Sequence, residues 1–266
     1  MKHFLCTRFN LKNEDWIHTK KGKSVLTKKW LSSRFYLFEK FCVPSVKNQT
    51  NKNFKWVIFF DIDTPTKFKK KINGLLAKDN LFIPLYINGI GELETSLSRF
   101  ILKEISIKSE TIITTRLDND DAIHKDFIST IQKLASGKSE AVIDLIRGLQ
   151  IDIQKDPFQV RNHFKYYNPF ISIVETGDNF KTVLSRHHYE WSDHANIIAY
   201  KSDRLWLEVI HDKNMVNEVK NNYYLTNNFY PDDFGLKGIN FQNKITTILN
   251  NTFLRLKKLK SRFLKT

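Results

Sequence analysis

Seven residues, Phe54-Lys55-Trp56-Val57-Ile58-Phe59-Phe60, form a nearly continuous apolar run that ends in Asp61, Asp63, Thr64 and Pro65. A strand that is apolar on both faces needs cover on both faces, which points to a parallel sheet held between helices. The flanking segments repeat the pattern. His3 to Leu11 reads as a strand. Val25 to Cys42 reads as a helix, because Leu26, Trp30, Leu31, Phe35, Leu37, Phe38 and Phe41 return at helical spacing, and Pro44 is expected to stop it. Thr66 to Asp79 predicts a second helix, Leu81 to Ile87 a third strand, Glu92 to Ile107 a helix opened by Gly91, and Thr111 to Leu117 a fourth strand. Lys125 to Ala135 is helical again. Such β/α alternation predicts an α/β fold with a mixed, mostly parallel sheet flanked by helices. In open sheets of this kind ligands bind beyond the carboxyl ends of the strands. Those ends carry Thr7-Arg8-Phe9-Asn10, Asp61-Ile62-Asp63 and Asp118 to Asp121.

The second half is less regular. A strand pair is expected at Ala141 to Ile153 and around Pro169 to Glu175, then a His-rich loop from Arg186 to His194, helical or turn segments at Ala195 to His211, and a long loop or flap from Asn214 to Gly238. Ile239 to Thr266 reads as an extended amphipathic helix whose Ile245, Ile248, Leu249, Phe253, Leu256, Leu259 and Phe263 share a face. The boundaries predicted are 1–238 for one domain, divided into halves 1–124 and 125–238, with 239–266 as a basic C-terminal helix.

The acidic run Arg116-Leu117-Asp118-Asn119-Asp120-Asp121 carries the most chemistry. Phosphate oxygens of a nucleotide diphosphate bind a divalent ion well, provided the protein holds that ion with hard oxygen ligands and leaves positions open. In extended chain, residues i and i+2 point the same way, so Asp118 and Asp120 are expected to converge on such an ion, with Asp121 nearby as an alternative. The competing expectation is that Asp120 or Asp121 merely starts a turn or caps the following helix. His211, after the apolar segment Leu207 to Ile210, is a candidate third ligand. Asp193, Glu175, His187 and His188 compete as the base that takes a proton from an acceptor hydroxyl.

Several segments resemble the bacterial family of putative rhamnosyl transferases, within the GT-A class of glycosyltransferases. They are Phe4 to Asn10, Leu37 to Ser45, Trp56 to Asp61, Thr115-Arg116-Leu117-Asp118-Asn119-Asp120-Asp121-Ala122 and Trp206 to His211. The resemblance implies a GT-A-like, Rossmann-like fold and a nucleotide-sugar donor carrying rhamnosyl or another hexosyl or galactofuranosyl group. Thr7, Arg8, Asn10 and Asp61 would contact base and ribose, and Arg99 phosphate. Asp118 and Asp120 would hold Mn2+ or Mg2+, with His211 completing the site. An inverting outcome is favoured over a retaining one, with Asp193 as the base that best fits the order of such enzymes and Glu175 second. The acceptor would be a glycan, lipid-linked or not, in cell-surface polysaccharide synthesis.

Charge bears on partners. Forty-three Lys and Arg against 28 Asp and Glu give a net charge of +15, which attracts phosphate-bearing molecules. A nucleic-acid-binding reading would cite Phe164, Tyr166 and Tyr167 near Arg161 and Lys165, but it leaves the carboxylates of the acidic run repelling phosphate, so no nucleic-acid partner is expected. A metal-dependent nucleotidyltransferase or phosphoesterase is the other alternative. Cys6 and Cys42 sit in apolar segments and read as reduced core residues, which predicts a cytoplasmic protein. In the tail, Arg255, Lys257, Lys258, Lys260, Arg262 and Lys265 are interleaved with Leu254, Leu256, Leu259, Phe263 and Leu264. This predicts either an interfacial helix on the anionic inner face of the cell membrane or a helix packed on its own domain.

Overall fold

The run of residues 54–60 becomes β2 (Lys55–Asp61), which lies between β1 (Lys2–Arg8) and β3 (Phe82–Ile87), parallel to both. The structure, a computed structural model, describes residues 1–13, 26–76, 80–106, 110–177, 180–214 and 217–263. The helix ends expected at Val25, Asp79 and Ile107, and the tail residues Leu264 to Thr266, lie outside these. Among the described residues a seven-stranded sheet has the order β10-β6-β9-β4-β1-β2-β3, with β4 at Thr111–Arg116, β6 at Ala141–Leu145, β9 at Ser172–Thr176 and β10 at Ile197–Tyr200. Only β9 runs against its neighbours, β4 and β6. The carboxyl ends of β1, β2, β3 and β4 therefore share one edge, as the alternation predicted.

Helices cover both faces. On one, α1 (Lys28–Leu37) places Phe35 against Phe9 and Phe68, while Phe38 meets Trp56. On the other, α4 (Leu93–Glu104) buries Leu97 and Ile101 in a cluster with Phe4, Val57 and Phe59. Each fully buried side chain of this size contributes about 1.5–3 kcal/mol of transfer free energy. The second helix, α3, is Thr66–Leu76 and the one after β4 is α5, Phe127–Ala135.

Pro44 does not stop the first helix. The chain leaves α1 through a π-helical turn (Phe38–Cys42), where the Val43 N–H donates to Phe38 O, and re-enters α2 (Val43–Lys47). The wider turn has shifted the hydrogen-bond ladder, so Pro44 falls in the first turn of α2, where a missing N–H costs little.

A second sheet holds the rest, in the order β5 (Ala122–Ile123), β11 (Trp206–Ile210), β7 (Arg147–Asp152) and β8 (Gln159–Phe164). The helical or turn structure expected at Ala195 to His211 is instead the two strands β10 and β11. Every residue of β11 is buried, including Glu208, whose carboxylate accepts from Gln150 Nε2 at 2.6 Å and faces His163 Nδ1 at 3.4 Å. Such matching across strands allows a charge inside an apolar strand. A single residue, Ile146, separates β6 in the large sheet from β7 in the small one. Just beyond it, Gly148 admits the Trp206 indole so closely that an added Cβ would lie 2.1 Å from the ring. The stretch 217–238 is irregular but tied down, with Leu225, Phe234 and Leu236 buried, and α6 (Lys244–Phe263) follows it.

Candidate active site

At the shared strand edge, the loop after β1 and the acidic run after β4 are laced together. Asn119 Nδ2 donates to Arg8 O at 2.9 Å and Phe9 O at 3.1 Å, and the Asp121 N–H closes a turn on Asp118 O at 3.3 Å. Because the run turns, the extended-chain argument for convergence of Asp118 and Asp120 does not hold, and the two carboxylates find different cations. Asp118 receives Nε and Nη2 of Arg116 at 3.0–3.2 Å. Asp120 Oδ2 accepts from Arg34 Nη1 at 2.5 Å and lies 2.8 Å from His211 Nε2. The expected approach of His211 to the acidic run is thus present, at Asp120.

The electrostatics divide neighbouring residues. Burial pushes the Asp120 carboxyl up, but the Arg34 guanidinium and His211 outweigh it and hold it well below the usual carboxylate range. Asp121 next door is also buried, and beside Asp120, Asp118 and Glu208 its pKa is driven far up; its Oδ1 accepts the Val209 N–H at 2.8 Å. One carboxyl is fixed as an anion, and its neighbour favours the protonated form.

A cleft of about 650 Å3 opens over this arrangement, lined by Arg8, Arg34 and Arg116, by Asn10, Asp118 and Asp120, and by Tyr166, Tyr167, His187, His188 and Tyr189. Burial, with Arg116 close by, lowers the Arg8 pKa to about 10, so it stays cationic at neutral pH. Among the described residues, three buried polar atoms of cleft residues have no hydrogen-bond partner: Trp30 Nε1, Arg34 Nε and Asn119 Oδ1. Unsatisfied buried groups of this kind are rare in native folds and costly unless something arrives to pair with them. Among the cleft residues, the His187 and Tyr189 rings stack at 5.5 Å. Burial, with Arg116 second, lowers the His188 pKa to about 4, and its Nδ1 bonds the Tyr167 carbonyl.

Other residues named from sequence lie elsewhere. Thr7, within β1, is buried and accepts from Trp56 Nε1 at 2.8 Å. Asp61 is buried and receives the Lys12 and Asp63 N–H groups at 3.1 and 3.0 Å, so it shapes the loop around Asn10 without lining the cleft. Arg99 is exposed on α4, away from the cleft lining. Asp193 ends a short 3-10 helix (His188–Asp193), faces solvent and pairs with Arg186 at 3.0 Å. Glu175 pairs with Ile112 near the start of β4, at the opposite edge of the sheet, because β9 runs backwards. Arg34 is the residue that sequence reasoning missed; its signal was a charge four residues from Trp30 and Phe38 on the apolar face of a helix.

The donor set suits a divalent cation in kind: two carboxylates and an imidazole, with Asp120 and His211 already in contact. Among the described residues, however, no group of three His, Cys, Asp or Glu side chains stands spaced to hold a metal ion, and Arg34 occupies Oδ2 of Asp120.

Solved structures similar to this chain include S. aureus TarS 1-349, at 13% identity and a TM-score of 0.44 over 79% of this chain and 60% of that one. The same fragment in complex with UDP-GlcNAc matches at 11% identity and 0.46 over 84% and 63%. A 4-diphosphocytidyl-2C-methyl-D-erythritol synthase matches at 9% and 0.35 over 76% and 90%. This chain thus spans 60–63% of the TarS 1-349 fragment. No curated protein matches the sequence significantly. The family described as "Putative rhamnosyl transferase" matches residues 3–223, and the chain belongs to that family of glycosyltransferases.

Proposed function

We propose that the chain transfers a sugar from a nucleoside-diphosphate donor to a hydroxyl of a glycan, with the donor diphosphate lying in the cleft over the acidic run. The observation that carries this reading is a cleft that brings three arginines, Arg8, Arg34 and Arg116, beside the acidic run. Arg8, Arg34 and Arg116 offer planar donors suited to phosphate oxygens, and Arg34 Nε is a donor with nothing yet to bond. Trp30, Tyr166, Tyr167 and Tyr189 provide flat faces for base and sugar rings.

Asp118, Asp120 and His211 are the residues that would hold Mn2+ or Mg2+. When bound there, the ion would neutralise charge on the departing diphosphate. Asp120 is kept anionic for that purpose, while Arg34 supplies its counter-charge in the meantime.

His188, in place of Asp193 or Glu175, is the base in this reading. Its Nδ1 faces a carbonyl oxygen and must carry the hydrogen, which leaves Nε2 with a free electron pair. The depressed pKa keeps the ring neutral at physiological pH. Attack of the acceptor hydroxyl on the anomeric carbon, with its proton passing to Nε2, corresponds to an inverting transfer. In this reading the donor sugar is rhamnosyl, in line with the family's description, or a related hexosyl or galactofuranosyl group, and the acceptor is a cell-surface glycan, free or lipid-linked.

The test is a thermal-shift screen of UDP-, GDP- and dTDP-sugars with and without Mn2+, followed by product analysis with the donor that binds. A donor that raises the melting temperature, and whose sugar appears on an acceptor, supports the reading. Full sugar transfer by Asp120→Ala would sink the metal assignment, and full transfer by His188→Gln with loss in Asp193→Asn would return the base to Asp193.

A further inference from the structure

Helix α6 is docked on the domain the wrong way round for a core helix. Its hydrogen bonds and ring contacts with the body come from polar side chains: Asn251 exchanges two hydrogen bonds with the Leu225 backbone, both 2.9 Å, and Lys258 and Arg255 sit over the Tyr224 ring at 4.5 and 5.9 Å. Residues 251, 255 and 258 follow helical spacing and define one face. Apart from the half-buried Leu254, the large apolar residues described occupy the other. Ile245, Leu249 and Phe253 are 70%, 65% and 71% exposed, and Ile248, Leu256 and Leu259 extend the same stripe. A helix held only by packing turns its apolar stripe inward, and here the stripe faces out with no described residue covering it.

The charge pattern selects what covers it. The helix carries Lys244, Arg255, Lys257, Lys258, Lys260 and Arg262 and no acidic residue. Two copies meeting stripe to stripe would bring like charges together without a counter-charge, whereas an anionic lipid surface supplies one along the whole flank. Among the described residues no helix is long and apolar enough to cross a membrane, so contact would be in the plane of the interface.

We propose that α6 lies flat on an anionic bilayer, with Ile245, Leu249, Phe253 and Leu256 in the headgroup–acyl boundary and Lys257 and Lys260 at headgroup level. The inference is independent of the sugar-transfer reading, since it rests only on α6.

The experiment is co-sedimentation of the full chain with phosphatidylcholine vesicles and with vesicles containing 30% phosphatidylglycerol. Binding to the anionic vesicles, weakened by salt, is expected. The pair Leu249→Ser and Phe253→Ser should lower that binding at least tenfold. Lys257→Ala and Lys260→Ala should each lower it about fivefold. Both sites are exposed, so circular dichroism and melting temperature should stay unchanged, which separates lost docking from lost folding. Absence of binding to anionic vesicles, or binding untouched by the Leu249 and Phe253 pair, overturns the proposal. So does a stable dimer in light scattering that the same pair dissolves, because a second copy would then own the stripe.

Discussion

The acidic run and helix α6 both invert the ordinary rule of apolar inside and charged outside, and they do so with opposite consequences. At the run, Arg34, Asp120 and Asp121 are taken out of water, and the site is stable because cations and backbone donors meet each carboxyl. Along α6, apolar side chains are left in water while Asn251, Arg255 and Lys258 face the domain. Buried charge is costly and persists only with tight local compensation, whereas an exposed apolar stripe costs the isolated fold little. Substitution should therefore be severe in the first region and mild in the second.

The sharpest way to break that contrast is Asp120→Asn. It strands the Arg34 guanidinium, and about 3–5 kcal/mol of stability should go with it, together with sugar transfer, as measured by urea unfolding and product formation. A loss below 1 kcal/mol would mean that the ion pair is not buried as described. Arg34→Gln should be milder, because it frees Asp120 Oδ2 for another cation. Titration calorimetry without donor should show Mn2+ binding at least tenfold tighter than in the parent chain, and equal or weaker binding would remove Arg34 as the competitor.

Asp121→Asn should fall within about 1 kcal/mol of the parent at low pH, since an amide oxygen still accepts from Val209 N–H. The sign of its pH dependence is set by its raised folded pKa: the stability it contributes is fully present below the ordinary carboxylate value and is lost as pH rises through the folded one. The variant should therefore gain on the parent toward neutral pH. Asp120 behaves oppositely, its contribution being present above the ordinary value and lost as pH falls through its depressed one. At the mild end, the α6 pair Leu249→Ser and Phe253→Ser should shift unfolding by no more than about 0.5 kcal/mol.

Glu175→Gln should leave transfer alone and flatten stability between pH 4.5 and about 7. Burial raises this carboxyl to about 7, and its stabilising contribution is present below 4.5 and gone above the raised value. A fall in transfer would place Glu175 in the chemistry after all.

Most of the first sheet was legible because its strands are apolar runs whose partners are also apolar runs. The strands β8 and β11 were hidden for a physical reason. Arg161, His163 and Glu208 interrupt their patterns, and the groups that make those residues tolerable, Gln150 among them, lie on other strands. The acidic run was legible by its place after β4. Arg34 was not, since its partner is 86 positions away and only the fold brings them together. Glu175 attracted notice as a carboxylate after an apolar run, but reading its strand as parallel or antiparallel decides which edge of the sheet it reaches, and sequence does not carry that.

The passage from β6 to β7 through Ile146 alone has a mechanical meaning. The Ile146 N–H bonds Tyr200 O at 2.9 Å, and its carbonyl accepts the Lys165 N–H at 3.0 Å, so the one connecting residue is pinned on both sides. A swing of one sheet against the other at this point would have to break both of these bonds, so the crossing offers little slack for a hinge.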